Sequence, residues 1–363
     1  MTHLNELYLI LNKYLKWNKS HLKCFALIML VIILKQTCNL SSASKALPIK
    51  CLPQSFYRRM QRFFAGQYFD YRQISQLIFN MFSFDQVQLT LDRTNWKWGK
   101  RNINILMLAI VYRGIAIPIL WTLLNKRGNS DTKERIALIQ RFIAIFGKDR
   151  IVNVFADREF IGEQWFTWLI EQDINFCIRV KKNFIVTNHL GKNHKISDLF
   201  RHLKVGQIEC RKRRILVGRV KLYISALQLE NGELLLVVSP QFNANAIQGY
   251  ALRWEIETLF SCLKGRGFNL ENTRLTDPRR VKKLIAVLAI SFCWCYLTGE
   301  WQHDQKKAIK IKKHGRLSMS LFRYGLDYVQ MAIQRLIGFG KKEEFKEILA
   351  ILRRQNPDRI RVL

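Results

Sequence analysis

The sequence is short of the things that mark several common protein classes. Gly and Pro together number only 24 of 363 residues, which excludes collagenous and linker-rich chains. The eight cysteines (24, 38, 51, 177, 210, 262, 293 and 295) form no CxxC pair, and Cys293-Trp-Cys295 has poor zinc spacing, so they read as reduced core thiols. Seven scattered histidines make no HExxH or HxxxH pattern, which disfavours a zinc enzyme. The most apolar run, Cys24 to Leu34, has 11 residues, whereas crossing a bilayer takes about 20. Its length suits a signal sequence, but Lys35 follows at once and more than twenty residues precede it. A buried helix is therefore expected there, with no membrane partner. Acidic residues are also scarce: 27 Asp and Glu face 60 Lys and Arg, a formal charge of +33.

What is present is a core-forming chain with 49% hydrophobic residues, long enough for two or three domains. A cationic surplus this large calls for a polyanionic partner, and nucleic acid fits better than a membrane surface. The surplus is uneven. Residues 1–84 carry +9, 85–180 carry +4, 181–221 carry +10, 222–264 carry −2 and 265–363 carry +12. Clusters such as Arg211-Lys-Arg-Arg214 and Lys306 to Arg316 are poorly explained as scattered solvated charge. Arg211, Arg213 and Arg214 are accordingly candidate DNA contacts.

The periodicity divides the chain. Residues 1–84 have a helical pattern, in which Ser41 to Ala46, a break at Pro48 and Gln54 to Phe64 could form a helix-turn-helix exposing Arg58, Arg59 and Arg62 to DNA. Strands are expected at 86–91, 103–112, 115–124, 150–156 and 175–180, with a tight turn at Arg113-Gly114 and helices at 132–146 and 163–171. Together they describe an α/β fold, a mixed sheet with helices on its faces. Residues 181–240 interrupt that order as a β-rich insertion with a hairpin signal at Asn231-Gly232. Helix returns from Ala246 to about Lys264, and the tail is mostly helical, with 279–297 and 317–337 as the main candidates.

Two acids, Asp92 and Asp157, directly follow apolar strands, where a sheet presents ligands. Either alone could as well be a turn or helix cap. On the helix from Gln248 to Lys264, Tyr250, Arg253, Glu257 and Lys264 fall within an arc of about 60°, beside an apolar stripe. Taken alone, Arg253 and Glu257 are an ordinary i,i+4 pair.

The spacing Tyr250-x2-Arg253-x3-Glu257-x6-Lys264 resembles the YREK signature of DDE insertion-sequence transposases, the branch related to insertion sequence four. Leu91-Asp-Arg-Thr-Asn-Trp96 is similar to that family's first-Asp motif, and Ala156-Asp-Arg-Glu-Phe160 to its second; the likeness runs from about Asp85 to Lys264. It implies an RNase H-like catalytic domain over 85–290, with the insertion at about 181–240 before the last catalytic helix. A helical DNA-binding region at 1–84 and a basic helical region at 291–363 would flank it. It further implies that Asp92, Asp157 and Glu257 bind two Mg²⁺ or Mn²⁺ ions, a donor set that suits hard cations. Arg253 and Lys264 would bind phosphates, Lys264 about 10 Å along the axis from Glu257, and Tyr250 would position the backbone by its hydroxyl.

The implied activity is cut-and-paste transposition: binding terminal inverted repeats, metal-dependent cleavage through hairpin ends, and joining to target DNA, by a homodimer on paired ends. In related enzymes the insertion helps hold a flipped base, and Tyr223 is the first residue to test for that role. A cytoplasmic, nucleoid-associated location goes with this expectation. The alternatives are a catalytically inactive DNA-binding repressor and another RNase H-like DNA nuclease.

Overall fold

The computed structural model describes residues 2–47, 51–187 and 191–353, with side chains from Asn5 onward. In chain order, the first helices are α1 (Thr2–Tyr14), α2 (Lys19–Lys35), α3 (Leu40–Ala43), α4 (Pro53–Gly66) and α5 (Tyr71–Met81). Strands β1 (Val87–Trp98), β2 (Arg101–Tyr112) and β3 (Ile115–Leu123) lead to α6 (Thr132–Phe146), β4 (Ile151–Ala156), α7 (Glu163–Glu171) and β5 (Phe176–Arg179). Six more strands follow: β6 (Ile185–Thr187), β7 (Asn193–Lys195), β8 (Ile208–Cys210), β9 (Ile215–Val217), β10 (Val220–Gln228) and β11 (Leu234–Ser239). The remaining helices are α8 (Ala246–Ala251), α9 (Glu255–Leu263), α10 (Pro278–Gln305), α11 (Leu321–Phe339) and α12 (Glu343–Arg353). The chain packs as two units: residues 85–95 with 104–259, and residues 1–84 with 96–103 and 260–363.

The sheet runs in the order β3-β2-β1-β4-β5-β11-β10-β9-β6-β7, with β8 paired to β10. Only Gly99 and Lys100 separate β1 from β2, so this pair must be antiparallel, because a parallel pair needs a long crossover. β2 and β3 are antiparallel, whereas β1–β4 and β4–β5 are parallel. This is a mixed α/β sheet flanked by helices, the RNase H-like arrangement. In β2 every residue from Ile103 to Ile110 is buried, which requires cover on both faces; an alternating strand would be covered on one.

Several local expectations change. The first strand does not stop before Asp92 but continues to Trp98, because Arg93 and Asn95 find polar partners and Trp96 is buried. The β-rich insertion expected at about 181–240 is present as β6 to β11, and β11 pairs antiparallel with β5, so its strands extend the main sheet. The helix expected from Ala246 to Lys264 is split by a 3₁₀ turn at Leu252–Trp254, and Lys264 lies beyond the end of α9. Among the helix-turn-helix candidates, α3 is a single turn, too short to be a first helix, and Pro48 lies outside the described residues. Arg58 and Arg62 are exposed on α4, while Arg59 is half-buried and donates from Nη2 to the Ser20 carbonyl at 3.2 Å.

In the unit that contains α1 to α5, the apolar run of α2 is buried: Cys24 to Ala26 and Ile28 to Ile33 are almost wholly hidden, and Leu27 is half-buried. Helix α10 is long and apolar enough to cross a bilayer by length and composition, yet 89% of its most apolar window is buried inside the protein. It crosses α11 at two glycines. A Cβ at Gly299 would meet the Leu321 carbonyl oxygen at 1.9 Å, and one at Gly325 would meet that of Cys295 at 1.8 Å. Backbone therefore touches backbone at this crossing, which no other residue type allows.

Candidate active site

The parallel register between β1 and β4 builds one side of the site. Leu91 pairs with Ala156, so Asp92 and Asp157 stand level, one residue further on. Side chains alternate along strands, which puts Asp157 on the same face as Phe155 and Asp92 on the same face as Thr90. Phe155 packs in a buried cluster with Ile247 and Tyr250, and the Thr90 hydroxyl reaches the Arg253 carbonyl at 3.5 Å. Both acids therefore lie on the face covered by α8 and the 3₁₀ turn, the segment that carries Tyr250 and Arg253.

Side-chain bonds complete the convergence. Arg253 Nη1 donates to Asp92 Oδ2 at 3.1 Å and Nη2 to Glu257 Oε1 at 2.6 Å, so one guanidinium joins two of the three acids. The Tyr250 hydroxyl donates to Asp157 Oδ1 at 3.2 Å. The helix thus contacts the two strand acids through different residues. Glu257 is the open member, with its side chain 54% exposed against 16% for Asp92 and 5% for Arg253. Among the described residues no three His, Cys, Asp or Glu side chains are gathered closely enough to hold an ion, and the cation shared by Asp92 and Glu257 is Arg253 itself.

Electrostatics follow from burial. Burial pushes the Asp92 carboxyl up to about 7, against the pull of the Arg93 amide, which donates to it at 2.7 Å, and of Arg253; nearby Glu159 and Asp157 raise it further. Burial works against the charge on Arg253, but Tyr250, Glu257, Asp92 and Asp157 outweigh it and hold the group above its ordinary range. The Tyr250 phenol is pushed up, chiefly by burial, and so stays a donor. Arg253 Nε is buried without a hydrogen-bond partner, a cost that goes with holding this arginine against the acids.

Two supporting contacts escaped the sequence reading. Arg93, next to Asp92, makes a two-pronged pair with Glu159, two residues past Asp157, at 3.1 and 3.2 Å, and also donates to Asn104 and Asn129. It braces the two motifs; the only signal was an arginine and a glutamate inside motifs already singled out. Glu255 is buried and accepts from the Tyr112 and Gly114 amides at 2.7 and 2.9 Å, which ties the β2–β3 turn to the start of α9. Burial raises its carboxyl to about 7.

The remaining candidates are placed differently. Lys264 Nζ pairs with Glu271 at 2.7 Å. Arg211 is held internally by Glu209, the Leu199 carbonyl and the Phe200 ring, so it is not the free contact its cluster suggested. Arg213 is exposed, and Arg214 is exposed with its guanidinium over the Tyr223 ring at 5.2 Å. Tyr223 is half-buried and meets Phe242 edge-on at 5.8 Å.

No curated protein matches the chain in sequence. Among solved structures, the chain is similar to the piggyBac transposase synaptic complex with hairpin DNA, determined by cryo-electron microscopy. The identity is 13%, the TM-score 0.45, and the match covers 98% of this chain and 84% of that one. The family profile described as "Transposase DDE domain" matches residues 83–294, a span that contains Asp92, Asp157, Tyr250, Arg253, Glu257 and Lys264. With more than half of its length matched, the chain belongs to the transposase DDE domain family.

Proposed function

We propose that this protein is the DNA transposase of an insertion sequence of the YREK type, binding terminal inverted repeats, cutting both strands through hairpin ends and joining the freed 3′ ends to target DNA. The observation that carries the reading is the level placement of Asp92 and Asp157 on one sheet face, with Arg253 linking Asp92 to Glu257. The donor set fits hard divalent ions: every candidate ligand is a carboxylate, and two of them already share a cation. Asp92, Asp157 and Glu257 would hold Mg²⁺ or Mn²⁺. Such ions activate the attacking hydroxyl and stabilise the leaving oxygen of phosphodiester cleavage.

The protein's own residues do the rest. Arg253 balances the charge of Asp92 and Glu257 and holds the two carboxylates together. Tyr250 orients Asp157 through its hydroxyl, the Arg93–Glu159 brace keeps the two strand motifs in register, and Lys264 with the exposed Arg213 and Arg214 supplies further phosphate contacts. The proposed organisation keeps a DNA-binding region at 1–84, a catalytic domain at 85–290 and a basic region at 291–363, acting as a homodimer on paired ends in the cytoplasm, at the nucleoid.

The test is divalent-metal-dependent cleavage of duplex DNA carrying the inverted repeats that flank the gene. Wild type should yield hairpin ends, and Glu257→Gln should bind the same ends without cutting. Nicking that persists in Glu257→Gln would remove that residue from the chemistry. End binding without cleavage by wild type would favour the repressor reading.

A further inference from the structure

The segment between α10 and α11 forms a small ribbon that the catalytic reading does not use. Ile311 and Leu317 form an antiparallel bridge, and the Ser318 amide donates to the Lys310 carbonyl and the Lys312 amide to the Arg316 carbonyl, each at 2.8 Å. The turn is closed by the Gly315 amide on the Lys312 carbonyl at 2.9 Å, with Gly315 at φ +79°. That is a three-residue hairpin loop ending in a left-handed glycine.

The register sorts the side chains by chemistry. The bridging pair Ile311 and Leu317 share one face, so Lys310, Lys312, Arg316 and Ser318 fall on the other. Lys313 and His314 sit at the tip. All these residues are exposed, and no acid occurs in the sequence between Asp304 and Asp327. Among the described residues, Lys310, Lys312, Lys313 and Arg316 have no carboxylate partner. Their neighbours at the base are fixed: Lys306 pairs with Glu347 and bonds the Tyr328 hydroxyl, the Tyr324 hydroxyl donates to the Lys307 carbonyl at 3.0 Å, and the Ile309 amide donates to His303 Nδ1 at 2.8 Å.

A ribbon anchored at its base, with one cationic face and no acid to neutralise it, matches a regular polyanion. We infer that residues 310–318 form a duplex-DNA grip, whose Lys310, Lys312 and Arg316 face lies on the phosphodiester backbone without reading sequence. The inference rests on DNA being the partner, as proposed above, but not on catalysis. Two-stranded ribbons are narrow enough to lie along a DNA groove, and membership of a transposase family favours DNA over a lipid surface.

The test uses the full chain, a labelled random-sequence duplex without element ends, and a salt series. Replacing Lys310, Lys312 and Arg316 together with Gln should weaken binding and reduce the log-affinity against log-salt slope by about 3. A slope equal to that of wild type overturns the grip. Ile311→Ser with Leu317→Ser should leave the slope unchanged; if instead this pair lowers DNA affinity as much as the triple variant does, the charged face is not the contact. Loss of binding to phosphatidylserine vesicles by the triple variant, with DNA binding intact, overturns the inference in favour of a membrane surface. Cleavage is assayed separately on the same samples. A triple variant that cuts end-containing DNA with an unchanged salt slope defeats the grip alone, whereas a lowered slope in a protein that never cuts defeats the catalytic reading alone.

Discussion

Two sets of cations in this protein live in opposite conditions. Arg253 is almost wholly buried and Arg93 partly so, and each is held by carboxylates, Asp92 and Glu257 for the first and Glu159 for the second. Lys310, Lys312 and Arg316 stand in solvent with no acid near them in the chain. Sequence counts all five alike, as contributions to a surplus of +33. Only the surroundings separate a cation that organises acids from one available to a phosphate, and the 211–214 cluster contains both kinds: Arg211 is held by Glu209 while Arg213 is exposed.

Substitutions can break or sharpen that contrast. The largest effect is expected at the acids: Glu257→Gln should lower end cleavage by at least about a thousand-fold while its melting temperature stays near that of wild type, because Glu257 is half-exposed. Next is Arg253→Met, which leaves Asp92 buried without its cation and should cost about 3–5 kcal/mol in chemical denaturation. Lys312→Gln on the ribbon should change stability by less than about 0.5 kcal/mol. Equal losses at Arg253 and Lys312 would erase the distinction between the two sets.

A pH experiment probes the buried set directly. Asp92 has its carboxyl raised by burial from 3.8 to about 7, so between those values the folded protein holds a proton that the unfolded chain has released. Stability must therefore fall as pH rises through that window. In chelator-treated protein, Asp92→Asn removes this ionisation and should melt higher than wild type at pH 8, with the two curves converging below about pH 4. The smallest effect distinguishes neighbours: Arg213→Ala should lower the DNA-binding salt slope by about 0.9. Arg211→Ala should instead lower the melting temperature and leave the slope alone.

Much of the fold was legible because local signals agreed with the pattern. Helix α6 matches its expected span, 132–146, and is closed by a capping box between Asp131 and Glu134 and by Gly147 at its end. The Asn231-Gly232 signal does join β10 to β11. What the sequence hid were partners. Strand β1 runs on past Asp92 because Arg93 finds Glu159, 66 residues away, and no local rule reports that. At the candidate site the spacing of Tyr250, Arg253 and Glu257 was visible, but not that the arginine would face carboxylates on both sides. The 3₁₀ turn at 252–254 likewise has no breaker residue to announce it, and a continuous 3.6-residue count carried Lys264 onto a face beyond the end of the helix. Glu255 read as one more acid, although its two acceptor bonds depend on the turn at Arg113-Gly114.

The glycines at the α10–α11 crossing have a reach beyond their own contact. The basic ribbon is strung between the end of one of these helices and the start of the other, so the spacing of its two stems is set where Gly299 meets Leu321 and Gly325 meets Cys295. A single methyl group at either glycine would wedge the stems apart and re-aim the ribbon from about a turn or two of helix away. Grip on a polyanion would then change although no charge had been touched.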